Sequence, residues 1–198
     1  MLGHGGARRR DAQGFTLVEL MVVTAIVGVL AALAAGGYYR WVAASKMTEA
    51  TNMVAGIRNG QENFFAQTGS YLDISAGLAP PNLFPSASPG PGKTAWSSGP
   101  SALAAQFQRI GVKSDAPLFF GYATVAGSDT CDPTSTCSAK ATLALSTGSV
   151  NWATEAGSGT NKPWFIVAAQ TDQNGNGVYA KVASSSFSSR LIVDKEGE

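Results

Sequence analysis

The sequence predicts an α+β protein: a long N-terminal helix packed on an antiparallel sheet of four to five strands. Three observations predict it. An apolar run of 25 residues, Phe15 to Tyr39, opens the chain after a short basic stretch. Helical spacing of apolar residues then continues to about Thr68. From Ala116 onward the chain reads as short β-rich runs separated by Gly, Ser and Asn turns.

The apolar run contains 19 apolar residues and one charge, Glu19. As a helix it extends about 37 Å at ~1.5 Å per residue, enough to cross a hydrocarbon core of about 30 Å. Before it, residues 1–14 carry Arg8, Arg9 and Arg10 against Asp11, a net charge of +2. Such a cluster holds the N-terminus in the cytoplasm and sends the remainder outward. A cleavable secretory signal would have a shorter apolar stretch and a small-residue cleavage site, and Ala34 and Ala35 lie near the end of this run. A carboxylate inside an apolar span is costly, so Glu19 either reaches the interface or has a partner and a function. Composition leaves both open.

After Arg40 the spacing becomes one-sided. Met47, Ala50, Val54, Ile57, Gln61 and Phe64 recur every three or four residues, with Lys46, Glu49, Arg58 and Glu62 between them. This is an amphipathic helix with one face against a domain, and Gly69 supplies its left-handed cap. Gly36-Gly37 offers a place for a bend or local melting, since each glycine costs about 1 kcal/mol relative to Ala in a helix interior. Residues 77–101 hold six of the nine prolines and exclude both an uninterrupted helix and a central strand. Phe84 and Trp96 are read as anchors pinning this linker to the domain. The strands are placed at Leu118–Val125, Leu143–Trp152, Trp164–Val167, Val178–Ala183 and Arg190–Val193, with one sheet face buried on the helix from Met47 to Phe65.

Residue counts narrow the function. The only histidine is His4, so imidazole general-base chemistry has no candidate in the body. Two cysteines cannot build a four-cysteine zinc site. No acidic cluster suggests a hydrolytic carboxylate pair. The chain reads as no enzyme. From Arg40 onward 11 basic residues face 11 acidic ones, which gives no electrostatic support for nucleic-acid binding.

The string Gly14-Phe15-Thr16-Leu17-Val18-Glu19-Leu20-Met21-Val22-Val23, continued by Ala25-Ile26-Val27-Gly28-Val29-Leu30-Ala31-Ala32, closely resembles the N-terminal signature of type IV pilins and pseudopilins. Gly69-Ser70-Tyr71 also looks like the Gly-x-Tyr that follows the long helix in that family. The resemblance implies a pilin-like fold. It further implies a cytoplasmic leader of residues 1–14, cut by prepilin peptidase between Gly14 and Phe15, and N-methylation of Phe15. Residues 15–39 would then form the transmembrane and filament-core helix, and residues 40–198 the head. By the same resemblance Glu19 pairs with the Phe15 amine of a neighbouring subunit. Such a pair in a desolvated core sets register more than it adds stability.

The implied partners are other pilins in a helical homo-oligomeric filament, the peptidase, the pilus assembly platform and, before assembly, the membrane. The implied location is the bacterial inner membrane as a single-pass precursor, then an extracellular pilus serving motility, adhesion or DNA uptake. A pseudopilin of a type II secretion system, or a minor tip pilin acting as an adhesin, shares the signature. This chain departs from the usual pattern in its 14-residue leader and in having Gly36-Gly37 where many pilins carry a proline.

Two head motifs remain. Cys131 and Cys137, exported to an oxidising compartment, most simply form a disulfide that fixes a short loop. Asp172-Gln173-Asn174-Gly175-Asn176-Gly177 resembles the opening of a calcium loop, with Asp172, Asn174 and Asn176 as candidate ligands. The twelfth position is Ala183, not a bidentate Glu, and the competing reading is an Asn-Gly turn between two strands.

Overall fold

The computed structural model describes residues 14–127, 140–145, 148–150 and 162–195. The leader residues before Gly14, with His4 and the arginines, lie outside the described residues, as do Cys131, Cys137 and Trp152. Contacts divide the chain into two compact units that meet at Arg40 and Trp41 in the sequence.

Helix α1 runs Leu17–Thr68 and ends where the sequence placed the stop. Gly69 takes φ +75° and donates its N–H to the Phe65 carbonyl at 2.8 Å. A side chain is strained in that left-handed region, so glycine is the natural residue for the cap. The second half of α1 buries one stripe: Met47, Ala50, Val54, Ile57 and Gln61 are all buried, and Phe64 is half-buried.

Four strands form the main antiparallel sheet in the order β1-β4-β5-β6: β1 (Gly121–Gly127), β4 (Trp164–Thr171), β5 (Ala180–Ser185) and β6 (Ile192–Asp194). Tyr122, Phe165, Val167, Ala169, Ala180 and Val182 pack with the buried stripe of α1, as expected. The opposite face is buried as well. Ala123, Val125, Trp164, Ile166, Ala168 and Ala183 pack with Leu78 and Leu83 from the proline-rich linker and with Ala141 and Leu143. Burial on both faces explains why β4 reads as an unbroken apolar run rather than an alternating one.

The sequence expectation of a strand over Leu143–Trp152 is corrected. Residues 143–145 (β2) and 148–150 (β3) form a separate two-stranded hairpin, with Leu145 opposite Gly148. The chain reverses where a single strand was expected to continue. The start of β5 also moves from Val178 to Ala180, because the loop before it uses the Val178 N–H internally. A short helix, α2 (Ser101–Arg109), was not anticipated. It presents Leu103, Ala104 and Phe107 to the core. A Cβ on Gly60 would sit 2.3 Å from the Ile110 carbonyl oxygen, so the glycine permits the end of α2 to approach α1 this closely.

The linker anchors behave as expected. Phe84, Trp96 and Phe107 are buried, with Phe84 edge-on to Trp96 at 4.7 Å and stacked on Phe107 at 5.4 Å. Phe84 and Tyr122 also exchange backbone hydrogen bonds of 2.9 and 2.7 Å. Ile74 and Ser75 donate to the Thr124 carbonyl, and Asp73 accepts the Ala126 N–H at 3.1 Å. The outer edge of β1 is thereby covered, leaving few backbone groups free to pair with another chain.

Candidate functional site

The residues singled out by the N-terminal signature lie at the start of α1. Thr16 is its N-cap. The Thr16 Oγ1 accepts the Glu19 N–H at 3.2 Å, while Glu19 Oε2 accepts the Thr16 N–H at 3.0 Å and the Thr16 hydroxyl at 2.9 Å. This reciprocal arrangement is a capping box: two donors of the first helical turn, orphaned by geometry, are satisfied by side chains. The Thr-x-x-Glu spacing ahead of an apolar run is its sequence signal.

Both bonds to Glu19 fall on Oε2. Among the described residues no donor reaches Oε1, so one carboxylate oxygen stays available to a further cation or donor. Phe15 is 86% exposed, and Leu17 to Leu33 present their large apolar side chains on every side of the helix. Leu17–Ala35 is 19 residues with mean hydropathy 2.5 and no share buried, long and apolar enough to cross a membrane. Thr24, polar within this stretch, returns its hydroxyl to the Leu20 and Met21 carbonyls at 2.9 and 3.0 Å. A hydroxyl bonded inside its own helix is compatible with an apolar exterior.

The Asp172 loop joins β4 to β5. Asp172 Oδ1 accepts the Gly175 N–H at 2.8 Å and the Asn176 N–H at 3.1 Å, and Oδ2 accepts the Gly177 N–H at 2.9 Å. Asn174 Oδ1 accepts the Asn176 N–H, and Asn176 Oδ1 accepts the Val178 N–H. Gly175 and Gly177 have φ of +74° and +82°. The candidate ligand oxygens are thus aimed at the loop's own amides in successive Asx-turns. The other expected head site, the pair Cys131 and Cys137, falls outside the described residues.

Gln61 was read as one member of an amphipathic stripe, but its polar end has a task. It is fully buried, donates to the Leu72 carbonyl at 2.8 Å and the Thr124 hydroxyl at 3.2 Å, and accepts the Leu72 N–H at 2.9 Å. It ties α1 to the segment after Gly69 and to β1. Tyr71 stacks on Phe65 at 4.5 Å, meets Phe165 edge-on at 4.7 Å, and donates its hydroxyl to Glu62 at 3.1 Å. Burial, followed by the Glu62 charge and hydrogen bond, pushes the Tyr71 phenol up to about 12.

Comparison with known proteins bears on the N-terminal segment. Residues 9–35 match the model of the prokaryotic N-terminal methylation motif. The chain is 40% identical over 70 residues to the type IV major pilin protein PilA of Myxococcus xanthus, covering 34% of this chain and 32% of that protein. It is 41% identical over 69 residues to the fimbrial protein EcpC of Eikenella corrodens, covering 34% and 45%. It is 37% identical over 91 residues to the type IV major fimbrial protein FimA of Dichelobacter nodosus, covering 40% and 58%. The matches therefore span from a third to somewhat over half of these relatives' lengths. No solved structure gives a significant match.

Proposed function

We propose that this chain, with its methylation motif and its similarity to type IV pilins, is a type IV pilin structural subunit that polymerises into a surface pilus. In this reading prepilin peptidase cuts between Gly14 and Phe15, Phe15 is N-methylated, and the assembly platform draws the subunit out of the inner membrane. Residues 15–39 then serve first as the membrane anchor and later as the filament core, carrying residues 40–198 as the head. The relatives are named as major pilins and fimbrial proteins, which favours a pilus over a secretion pseudopilin or a tip adhesin.

The observation that carries the reading is the start of α1. A helix apolar on every side begins with a carboxylate whose Oε2 is held by its own Thr16 and whose Oε1 meets no donor among the described residues. Cleavage at Gly14–Phe15 creates a cationic amine at Phe15. A neighbouring subunit could present that amine to Oε1 without disturbing the cap. In an apolar filament core two unpaired charges would be strongly disfavoured, so the pair fixes axial register.

Mass spectrometry of sheared surface filaments tests this. The expected result is an abundant peptide beginning at methylated Phe15, and an intact Met1 terminus would refute it. Glu19→Ala should leave cleavage intact while filament yield collapses; normal filament numbers would remove Glu19 from assembly.

A further inference from the structure

We propose that Trp41, with Tyr38, seats the precursor in the lipid headgroup layer on the far side of the membrane. The inference rests on Leu17–Ala35 being a membrane span and adds the group that sets its depth. Trp41 is 69% exposed, whereas the other described tryptophans, Trp96 and Trp164, are 7% and 1% exposed. Tyr38 is 62% exposed. A tryptophan this open to water leaves most of a large apolar surface uncovered. Such a residue is a poor surface choice unless something covers it.

Length along α1 indicates what covers it. The 19-residue apolar stretch is about 28 Å as a helix, close to the ~30 Å hydrocarbon thickness. Tyr38 and Trp41 follow Ala35 by three and six residues, about 4.5 and 9 Å further along the helix. Helical side chains tilt toward the N-terminus, which brings both rings back toward the bilayer. A tilt of about 20° shortens the reach further. The rings then fall in the interfacial layer, where the Trp41 indole N–H stays hydrated while the ring bodies contact acyl chains. The near side is already marked by the charged leader and the capped Glu19, so the span has a marker at each end. A second copy of the chain, the other possible cover, has no such length argument in its favour.

The full-length precursor, reconstituted in phosphatidylcholine vesicles, provides the test. Vesicle flotation after an alkaline wash first reads the span itself; protein that fails to float overturns both the span and its anchor. Lipids brominated either just below the ester or near the chain end then report depth. The Trp41 signal is the difference in fluorescence between wild type and Trp41→Phe, which keeps the ring and leaves the buried tryptophans in place. Quenching should be about twofold or more stronger from the shallow bromines. Floating protein whose Trp41 signal is unquenched by either lipid, or quenched more by the deep one, overturns the proposal. Unquenched Trp41 that becomes shielded from iodide only in sheared filaments would give its cover to a neighbouring subunit instead.

Discussion

The two halves of α1 share an element and a high apolar content yet differ in what their apolar groups do. From Leu17 to Leu33 the large side chains are more than half exposed on every face. From Ala43 to Gln61 only one stripe is apolar, and that stripe is buried under the sheet. The difference is one of arrangement. A helix apolar all round satisfies its backbone internally and needs an apolar surrounding, lipid or other helices. A helix apolar on one face needs a single partner surface and finds it within the chain.

The strongest way to break this comparison is to place the same charge in each half. Val54 is fully buried, so Val54→Asp should unfold the head or cost more than about 3 kcal/mol, because an unpaired carboxylate would have to enter the core. Val27→Asp should leave the head's thermal transition unchanged in detergent. It should instead weaken membrane insertion by about 2.5–3.5 kcal/mol for a charge near mid-span. Melting followed by circular dichroism and an insertion assay separate the two. If Val27→Asp lowered the head's melting temperature, the first half would not be independent of the head's folding.

Within the second half, Gln61 sharpens the contrast between packing and hydrogen bonding. Gln61→Leu keeps the volume but orphans the Leu72 N–H and carbonyl inside the protein. A fully buried group without a partner costs about 1–3 kcal/mol, and since Leu72 is only half-buried a loss toward the lower end for the two, roughly 2–4 kcal/mol, is expected in chemical denaturation. Ile57→Val, by contrast, should cost about 1 kcal/mol, since it removes one methylene and no partner. Equal losses for the two would mean that the Gln61 amide contributes only its bulk.

In the first half, the capping box offers a smaller and purely local effect. Thr16→Val removes the hydroxyl that caps the Glu19 N–H, with a typical cost of about 1 kcal/mol for losing a threonine cap. Amide exchange at Leu17 to Leu20 should quicken about fivefold in micelles, as about 1 kcal/mol implies, while the head's melting temperature stays fixed. Unchanged exchange would show that the cap is not formed in solution.

How much of this was legible in the sequence follows the same division. The apolar run, the one-sided stripe from Met47 to Phe64 and the Gly69 stop were readable because helical period and cap chemistry are local. Tyr122, Phe165 and Val167 were readable as strand residues, but not the second buried face. Nothing local says that Leu78, Leu83 and Leu143 return to cover Ala168 and Ala183. α2 was missed because Ser101-Ala-Leu-Ala-Ala-Gln-Phe-Gln-Arg is only nine residues long and directly follows a proline-rich stretch. At the candidate site, the string around Gly14, Phe15 and Glu19 was legible as a methylation-motif segment, which residues 9–35 match. The hold of Thr16 on Glu19 is written in the Thr-x-x-Glu spacing, a local signal. In the Asp172 loop the alternate oxygens were legible as a set, and the glycines after them, at positive φ, let those oxygens also accept the loop's own N–H groups.

The smallest predicted effect lies at the end of α1 and is read by pH. Tyr71 is pushed up to about 12 by burial and by Glu62, against an ordinary value of 10.0. The folded head therefore holds this proton where the unfolded chain releases it. The resulting stability is fully present below pH 10 and is lost as pH rises from there through about 12. Because the ring is only half-buried, solvent screening keeps the effect modest. Tyr71→Phe should remove this part of the alkaline destabilisation and leave neutral-pH stability slightly lower, through loss of the bond to Glu62. Glu62→Gln should bring the Tyr71 phenolate transition down toward the ordinary value, followed in the ultraviolet against the Tyr71→Phe variant. A phenolate transition unmoved by Glu62→Gln would assign the shift to burial against Phe65 and Phe165 alone.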